Sequence, residues 1–250
     1  MGLSIITQPT SLLVAIGQPA MFSVAAQYTG GTATIYYQWN KNNASMPGKN
    51  SSSLPFVAVT SDDSDVYTCT ISNNFDSTVL TTNPVALASS ILDNIELQMK
   101  CAILGMSQST GYNWNWLIVN QPDEAVGGTE PTYPRVNIES PAETNIDGVN
   151  TPNAEAYTNE VVFVLMVKGT QAWSNNANFT IRSNLRSALD DLKKLFGNNS
   201  SINGSCEEIL YRSSQVIALN LNDVQKPSTL RSQWLVRYCQ DRLNPLIRAV

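Results

Sequence analysis

The chain contains no histidine in 250 residues. That absence removes the Ser-His-Asp and Cys-His arrangements of nucleophilic catalysis, histidine metal sites and the commonest general base. Charge is also scarce: 14% of residues are Asp, Glu, Lys or Arg, against about 25% in an ordinary soluble protein. Asn, Ser and Thr are abundant instead, a composition typical of surfaces that meet other protein surfaces. The four cysteines, Cys69, Cys101, Cys206 and Cys239, are scattered without a CxxC pair, so their spacing encodes neither a zinc cluster nor a redox pair. Two disulfides are possible, but burial as small hydrophobes is the reading the rest of the chain favours.

No apolar run approaches the roughly 20 residues of a membrane-spanning helix. The start, Met1-Gly-Leu-Ser-Ile-Ile-Thr7, lacks the basic and apolar regions that direct export. The expectation is a soluble chain made in the cytoplasm, with no membrane partner. Glycosylation triplets at Asn43, Asn50 and Asn178 are then chance matches in an Asn- and Ser-rich sequence. The net charge of −5 and pI of about 4.7 argue against general binding to nucleic acid. The acid pairs Asp62-Asp63, Asp190-Asp191 and Glu207-Glu208 are adjacent in sequence, so their side chains diverge on a helix or strand. Gly127-Gly128 lacks the Lys-Ser/Thr that completes a phosphate loop. An enzyme is not expected, nor a cofactor or metal.

What is present falls into two parts, residues 1–88 and 90–250. In the first, seven short alternating strands (residues 5–8, 12–15, 20–28, 34–40, 56–59, 65–72 and 79–85) are separated by Gly17-Gln-Pro, Gly30-Gly, Pro47-Gly and Asn73-Asn. That rhythm predicts an all-β sandwich. Trp39 ends a Tyr-Tyr-Gln-Trp run, and Tyr67 stands two residues before Cys69, the spacing of a tyrosine corner. These residues, in order, resemble the immunoglobulin-like family over the whole segment. The position where that family has its partner cysteine holds Val24, so the resemblance implies that Cys69 packs as a hydrophobe against Val24 and Trp39. A sandwich without its bridge suits folding in a reducing compartment. Three polar loops, residues 28–33, 41–53 and 72–78, are the places where such a domain would hold a glycan or protein weakly, or would simply be solvated.

The second part is organised around one stretch. Glu160-Val-Val-Phe-Val-Leu-Met-Val167 reads as a strand buried on both faces. A helix follows, with Asn178 as N-cap, an apolar stripe of Ile181, Leu185, Leu189 (or Ala188), Leu192 and Phe196, and Gly197 as its stop. Before them the pattern predicts a helix from Ile91 to Met106, a strand over residues 112–119 with Tyr112, Trp114, Trp116 and Ile118 on one face, and a short strand over residues 135–139. Residues 140–156 read as irregular, and residues 206–219 and 232–239 as two closing strands. The expected fold is an α+β layer, a mainly antiparallel sheet with two covering helices.

This element order, with a first strand containing Gly111-Tyr112, Tyr-Pro-Arg-Val-Asn-Ile138, Tyr-Thr-Asn-Glu-Val-Val-Phe163, Leu-Asp-Asp-Leu-Lys-Lys-Leu-Phe196 and the closing Trp234-Leu-Val-Arg-Tyr-Cys-Gln-Asp-Arg-Leu-Asn-Pro245, resembles the tail-terminator or tail-completion proteins of tailed bacteriophages over residues 91–246. The resemblance implies a virion structural protein that forms a ring, usually a hexamer, between tail tube and head connector. DNA would pass through its lumen without specific binding. An amino-terminal immunoglobulin-like domain departs from the minimal terminator and leaves open a long-tailed or short-tailed virion.

The charges add an independent reading. Residues 90–167 hold ten acids and two bases, and residues 168–250 hold eleven bases and six acids. Opposite signs on separate segments favour head-to-tail docking between copies, unless the fold interleaves them. Arg182, Arg186, Lys193 and Lys194 lie on the long helix, either lining a ring interface or lumen or forming a solvated face with Asp190 as local partner. The alternative function is a fibre or decoration protein that binds host-surface glycans through the immunoglobulin-like domain.

Overall fold

The computed structural model describes residues 2–116, 134–145, 154–167, 177–219 and 227–241. The chain divides into two compact units that meet within one helix: Met1–Cys101 belongs to the first and Ala102–Asn244 to the second. The sequence placed this division near residues 88–90. The helix, α1 (Ile91–Leu104), thus contributes its first eleven residues to the first unit. Lys100, on that part of α1, donates to Asp65 Oδ1 at 3.1 Å and to Asn42 Oδ1 at 2.5 Å.

The first unit is a β-sandwich of ten short strands rather than seven: β1 (Gly2–Thr7), β2 (Leu12–Leu13), β3 (Ala20–Ser23), β4 (Ala25–Thr29), β5 (Ile35–Lys41), β6 (Ala44–Ser45), β7 (Ser53–Phe56), β8 (Asp65–Asn73), β9 (Leu80–Thr81) and β10 (Val85–Ala88). The expected strand over residues 20–28 is two strands with different partners, because β3 pairs with β7 and β4 with β1. Six strands form one sheet in the order β2-β10-β8-β5-β6, with β9 beside β8. The pairs β1–β4 and β3–β7 supply the facing layer. Alternation puts Ile35, Tyr37 and Trp39 of β5 and Tyr67, Cys69 and Ile71 of β8 into a single apolar cluster with Phe22, Val24, Leu54, Val85 and Leu87. The centre of that cluster is aromatic. Phe22 stacks on Trp39 with ring centroids 6.0 Å apart and lies 5.4 Å from Tyr67. Both buried polar tips are satisfied: Trp39 Nε1 donates to the Ser51 carbonyl at 2.9 Å, and Tyr67 Oη to the Asp63 carbonyl at 2.7 Å.

The second unit contains one four-stranded, wholly antiparallel sheet in the order β11-β12-β14-β13, formed by β11 (Arg135–Asn145), β12 (Ala154–Val167), β13 (Glu208–Ala218) and β14 (Ser228–Asp241). Residues 140–145 and 154–156, read as irregular from their polarity, are strand. The β11–β12 ladder shifts register between Glu139 and Ala142, around Pro141, and then continues to Asn145 opposite Tyr157. A bulge absorbs the missing proline N–H, so pairing survives the interruption.

The long helix α2 (Ala177–Asn198) begins one residue before the expected cap, placing Asn178 inside it, and ends one residue past Gly197. Its stripe of Ile181, Leu185, Ala188, Leu189, Leu192 and Phe196 is buried. Phe196 meets Phe163 of β12 at 5.4 Å and Trp234 of β14 at 5.2 Å, so the helix covers the sheet face that carries Val161, Phe163, Leu165 and Val167. The opposite face of β12 has its own apolar group, Val162, Val164 and Met166. A central strand with both faces buried reads as a continuous apolar run for this reason.

The expected strand over residues 112–119 is not a strand in residues 112–116; Ile118 and Val119 lie outside the described residues, as do residues 121–133 and 169–176. Instead, residues 113–116 wrap around a carboxylate of α2. Asp191, 1% exposed, accepts the backbone N–H groups of Asn113 at 2.8 Å and Trp114 at 3.1 Å, the Asn113 amide at 2.8 Å and the Trp116 indole N–H at 2.9 Å. Trp114 Nε1 donates to Ser187 Oγ one turn earlier, at 2.9 Å. Four donors on one ion replace a ladder that the alternating pattern alone suggested.

Removing this acceptor while leaving its donors buried costs about 3 kcal/mol. Asp191→Ala is therefore expected to lower unfolding free energy in urea by about that amount, whereas Asp190→Ala, on the exposed side of the same helix, stays within about 0.5 kcal/mol of the parent. Equal effects of the two substitutions would contradict the assignment.

Candidate interaction surfaces

The residues singled out from the sequence separate into a core and two surfaces. Val24, Trp39, Tyr67 and Cys69 come together in the sandwich core, where all four are buried. Cys69 carries a free thiol, as does Cys101. Burial pushes the Cys69 thiol from its ordinary 9.0 to about 11, a rise that a backbone hydrogen bond from Gln38 partly offsets. Burial likewise pushes Cys101 up to about 12, with Lys100 opposing and Asp65 reinforcing the rise. Neither thiol is suited to nucleophilic or redox work.

Two of the three loops proposed from the sequence meet at one end of the sandwich. The β4–β5 and β8–β9 connections are tied by Thr34 N–H donating to Asn74 Oδ1 at 2.8 Å and Asn74 N–H donating to the Thr34 carbonyl at 3.2 Å. Asn73, at the end of β8, accepts on Oδ1 from the N–H groups of Phe75 at 2.7 Å and Asp76 at 2.9 Å. This side-chain turn pushes the Phe75 ring outward, 65% exposed and 5.4 Å from the Tyr28 ring. Asp76 Oδ1 accepts from Asn73 Nδ2 at 2.9 Å and Thr78 N–H at 2.8 Å. The Asn73 bond, with others from Thr78 and Tyr28, holds the Asp76 carboxyl below its usual value. Tyr28 is shifted up, by desolvation first and the Asp76 charge second. The third loop, residues 41–53, begins at the last residue of β5 and lies at its other end, where Lys41 Nζ binds the Asp62 carbonyl.

In the second unit the four cations of α2 have different fates. Lys193 Nζ sits 4.1 Å from the centroid of Tyr211. Lys194 Nζ donates to the Gly111 carbonyl at 2.5 Å and lies 5.0 Å over Tyr112. Gly111 needs its positive φ of 86° there, because it closes the short turn Gln108–Thr110. Both lysines are thus held by their own unit through cation–π contacts that the charge pattern did not reveal. Asp190, the expected local partner of Arg186 or Lys194, makes no ion pair among the described residues; the interactions of Lys194 are with Gly111 and Tyr112 instead. Arg182 and Arg186 are exposed and make no ion pair among the described residues. Together with Leu185, Val216, Ile217, Leu219 and Leu230 they line a groove of about 410 Å³. Val216 and Ile217 are 41% and 57% exposed. Both belong to β13, an edge strand whose residues 211–217 are all exposed. The apolar wall of this groove was missed from the sequence, where residues 206–219 read only as a closing strand.

Among the described residues no group of three acids or cysteines is placed to hold a metal ion, and no helix is long and apolar enough to cross a membrane.

Comparison with known proteins bears on the fold. The family model for the immunoglobulin domain matches residues 4–73, and the chain carries an immunoglobulin-like β domain. No curated protein matches. Similar solved structures include immunoglobulin domains 1–4 of Sidekick-1, at 14% identity over 35% of this chain and 22% of that one, with a TM-score of 0.30. Extracellular domains 3–5 of Drosophila OTK match at 16% identity over 34% of each chain, with a TM-score of 0.30. The N-terminal four Ig domains of Dscam1 isoform 4.44 match at 26% identity over 35% of this chain and 21% of that one, with a TM-score of 0.28. The chain spans about a fifth to a third of the length of these solved chains.

The thiols give a pH dependence with a definite sign. A raised folded-state pKa makes the neutral thiol a contributor to stability below the ordinary value of 9.0, and that contribution is lost as pH rises through about 11 for Cys69 and about 12 for Cys101. Urea midpoints are expected to fall between pH 9.0 and 11, and less so in Cys69→Ala/Cys101→Ala. At pH 8, iodoacetamide should leave both thiols unmodified in the native protein and label both after unfolding, as read by peptide mass spectrometry.

Proposed function

We propose that this chain is a structural protein that assembles with copies of itself, the second unit forming the ring and the immunoglobulin-like domain projecting from it. The observation that supports the reading is the uncommitted groove of Arg182, Arg186, Val216 and Ile217 beside an exposed edge strand. Aliphatic side chains and guanidiniums without an ion pair among the described residues lie together there on one open surface, a mixture that suits an assembly surface. The sequence resemblance over residues 91–246 extends this reading to a tail-terminator or neck component of a bacteriophage virion, with the tail tube and head connector as partners above and below a ring of six. Its mechanism is geometric. Self-association closes the ring, one face matches the tube and another the connector, and DNA crosses the lumen without being read. On this reading the protein is made in the host cytoplasm and retained in the virion.

A second reading is favoured by a separate observation, the meeting of the two loops at Phe75 and Tyr28. An exposed ring held by a closed set of local hydrogen bonds suits stacking on the apolar face of a sugar. On this reading the immunoglobulin-like domain is the working part and binds host-surface glycans weakly.

Light scattering on a size-exclusion column distinguishes them. The assembling protein runs as one closed oligomer, seen as rings by negative-stain microscopy; a monomer at high micromolar concentration would remove the first reading. The glycan reading predicts that full-length protein binds a glycan array and that Phe75→Ala abolishes the signal while shifting stability by less than about 0.5 kcal/mol. An array without signal for the parent protein would remove the second.

A further inference from the structure

We infer, independently of the assembly and glycan readings, that Lys100, Asn42 and Asp65 form a self-modifying site in the first unit. There the Lys100 amine displaces ammonia from the Asn42 side-chain amide and leaves an isopeptide cross-link.

Three elements bring the groups together. β5 and β6 pair through Asn40 with Ser45 and Lys41 with Ala44, so Asn42 and Asn43 alone make the turn. Their φ angles of 49° and 64° are those of a two-residue hairpin turn in which asparagine is favoured. β8 runs beside β5 with Tyr67 opposite Lys41, and Asn42 N–H donates to the Val66 carbonyl at 3.0 Å. The turn therefore lies against the start of β8. Asp65, the first residue of that strand, has its carboxylate oriented by the neighbouring backbone, because Oδ1 accepts the Val66 N–H at 2.9 Å. Lys100 reaches the same point from α1, and all three residues belong to the first unit.

The side chains are bonded pairwise into a closed ring. Lys100 Nζ donates to Asn42 Oδ1 at 2.5 Å and to Asp65 Oδ1 at 3.1 Å, and Asn42 Nδ2 donates to Asp65 Oδ2. An ion pair needs only the amine and the acid. Here an amide stands between them, with its carbonyl on the amine and its nitrogen on the carboxylate. The side chains of Lys100 and Asp65 are 12% and 18% exposed, which keeps most water from the attacking and proton-carrying groups. Asn42 is exposed, which gives a departing ammonia its way out.

These are the parts of an aminolysis. The amide carbon lies one C=O bond, about 1.23 Å, behind the oxygen that Nζ already touches, so rotation of the Asn42 amide presents Cγ at attacking range. Asp65 touches both nitrogens that exchange protons, the position of a general acid and base. Asp65 first takes a proton from the Lys100 ammonium. The neutral amine adds to Cγ, forming the Nζ–Cγ bond as the carbonyl π pair moves to Oδ1. Asp65 then passes its proton to Nδ2 and takes a second one from Nζ. The Cγ–Nδ2 bond breaks, its electron pair leaves with ammonia, and the carbonyl re-forms. Ammonia collects the remaining proton and departs as ammonium, which regenerates the carboxylate and balances the reaction without a further reactant. The product joins residues 58 positions apart and ties α1 to the turn. It constrains the unfolded chain as a disulfide does, in a sandwich whose bridging position holds Val24.

The test weighs full-length protein intact and after trypsin. A cross-linked chain is lighter than its sequence by one ammonia, resists cleavage after Lys100, and yields residues 42–49 joined by a branch to residues 50–135. Lys100→Arg, which keeps the charge but lacks the amine, should lose the branch and be cut after position 100. Asp65→Ala should keep both reacting groups and still lose the branch, with far-UV circular dichroism confirming that it is folded. A parent of full sequence mass that is cut after Lys100 would overturn the inference whatever the variants do. So would ammonia lost from the Asn42 peptide alone with Lys100 still cut, because that is succinimide closure by the backbone. A branch that persists in Asp65→Ala would overturn the part given to Asp65.

Discussion

The carboxylate of Asp191 is the constraint on which the second unit depends. It is buried on the inner side of α2, where an unpaired ion would be costly enough to unfold a marginal protein. Asn113, Trp114 and Trp116 surround it with four donors, and this fixes the path of residues 113–116 against the helix. The same bonds bring Tyr112 and the Gly111 carbonyl to Lys194. One charge placed inside the helix stripe thereby fixes a connection and gives the Trp116 indole and a backbone segment their partners, while the Trp114 indole donates to Ser187 one turn away.

In the first unit the corresponding role falls to packing rather than to charge. The immunoglobulin-like sandwich has Val24 where a bridging cysteine would stand, and Cys69 is a free, buried thiol. A disulfide stabilises chiefly by limiting the unfolded chain. Here that contribution is absent, and the aromatic group of Phe22, Trp39, Phe56 and Tyr67, with ring centroids 5.4 to 6.0 Å apart, forms the junction between the layers. The tyrosine corner ties the same group to the turn at Asp63.

The two proposed roles draw on different kinds of surface. At the loop end of the sandwich the polar groups are largely used up among themselves: Asp76 accepts from Asn73 and Thr78, and Asn73 accepts from Phe75 and Asp76. What remains outward is a ring and its edge. On α2 the situation is reversed, because the guanidiniums of Arg182 and Arg186 have no ion pair among the described residues and lie beside aliphatic side chains that are also exposed. Satisfied loops suit a shallow ligand; unsatisfied cations beside exposed isoleucine and valine suit a protein partner that buries both.

The sequence by itself determined the elements whose physics is local. Strand alternation, the Trp39, Tyr67 and Cys69 series, the continuous apolar run of β12 and the three-to-four repeat of α2 each depend on near neighbours in the chain, and each is legible there. Tertiary structure decided whatever depended on a distant partner. Trp114 and Trp116 alternate with asparagine as a strand would, yet a carboxylate some 75 residues away took their hydrogen bonds and left no ladder to form. Residues 142–145 looked irregular because they are polar, but β12 was available to pair with them. Four cations on one helix looked alike until Tyr211, Tyr112 and the Gly111 carbonyl held two of them. The groove beside the other two is walled by Val216 and Ile217 of the edge strand β13, and which strand stands at an edge is set by the whole sheet rather than by any strand alone.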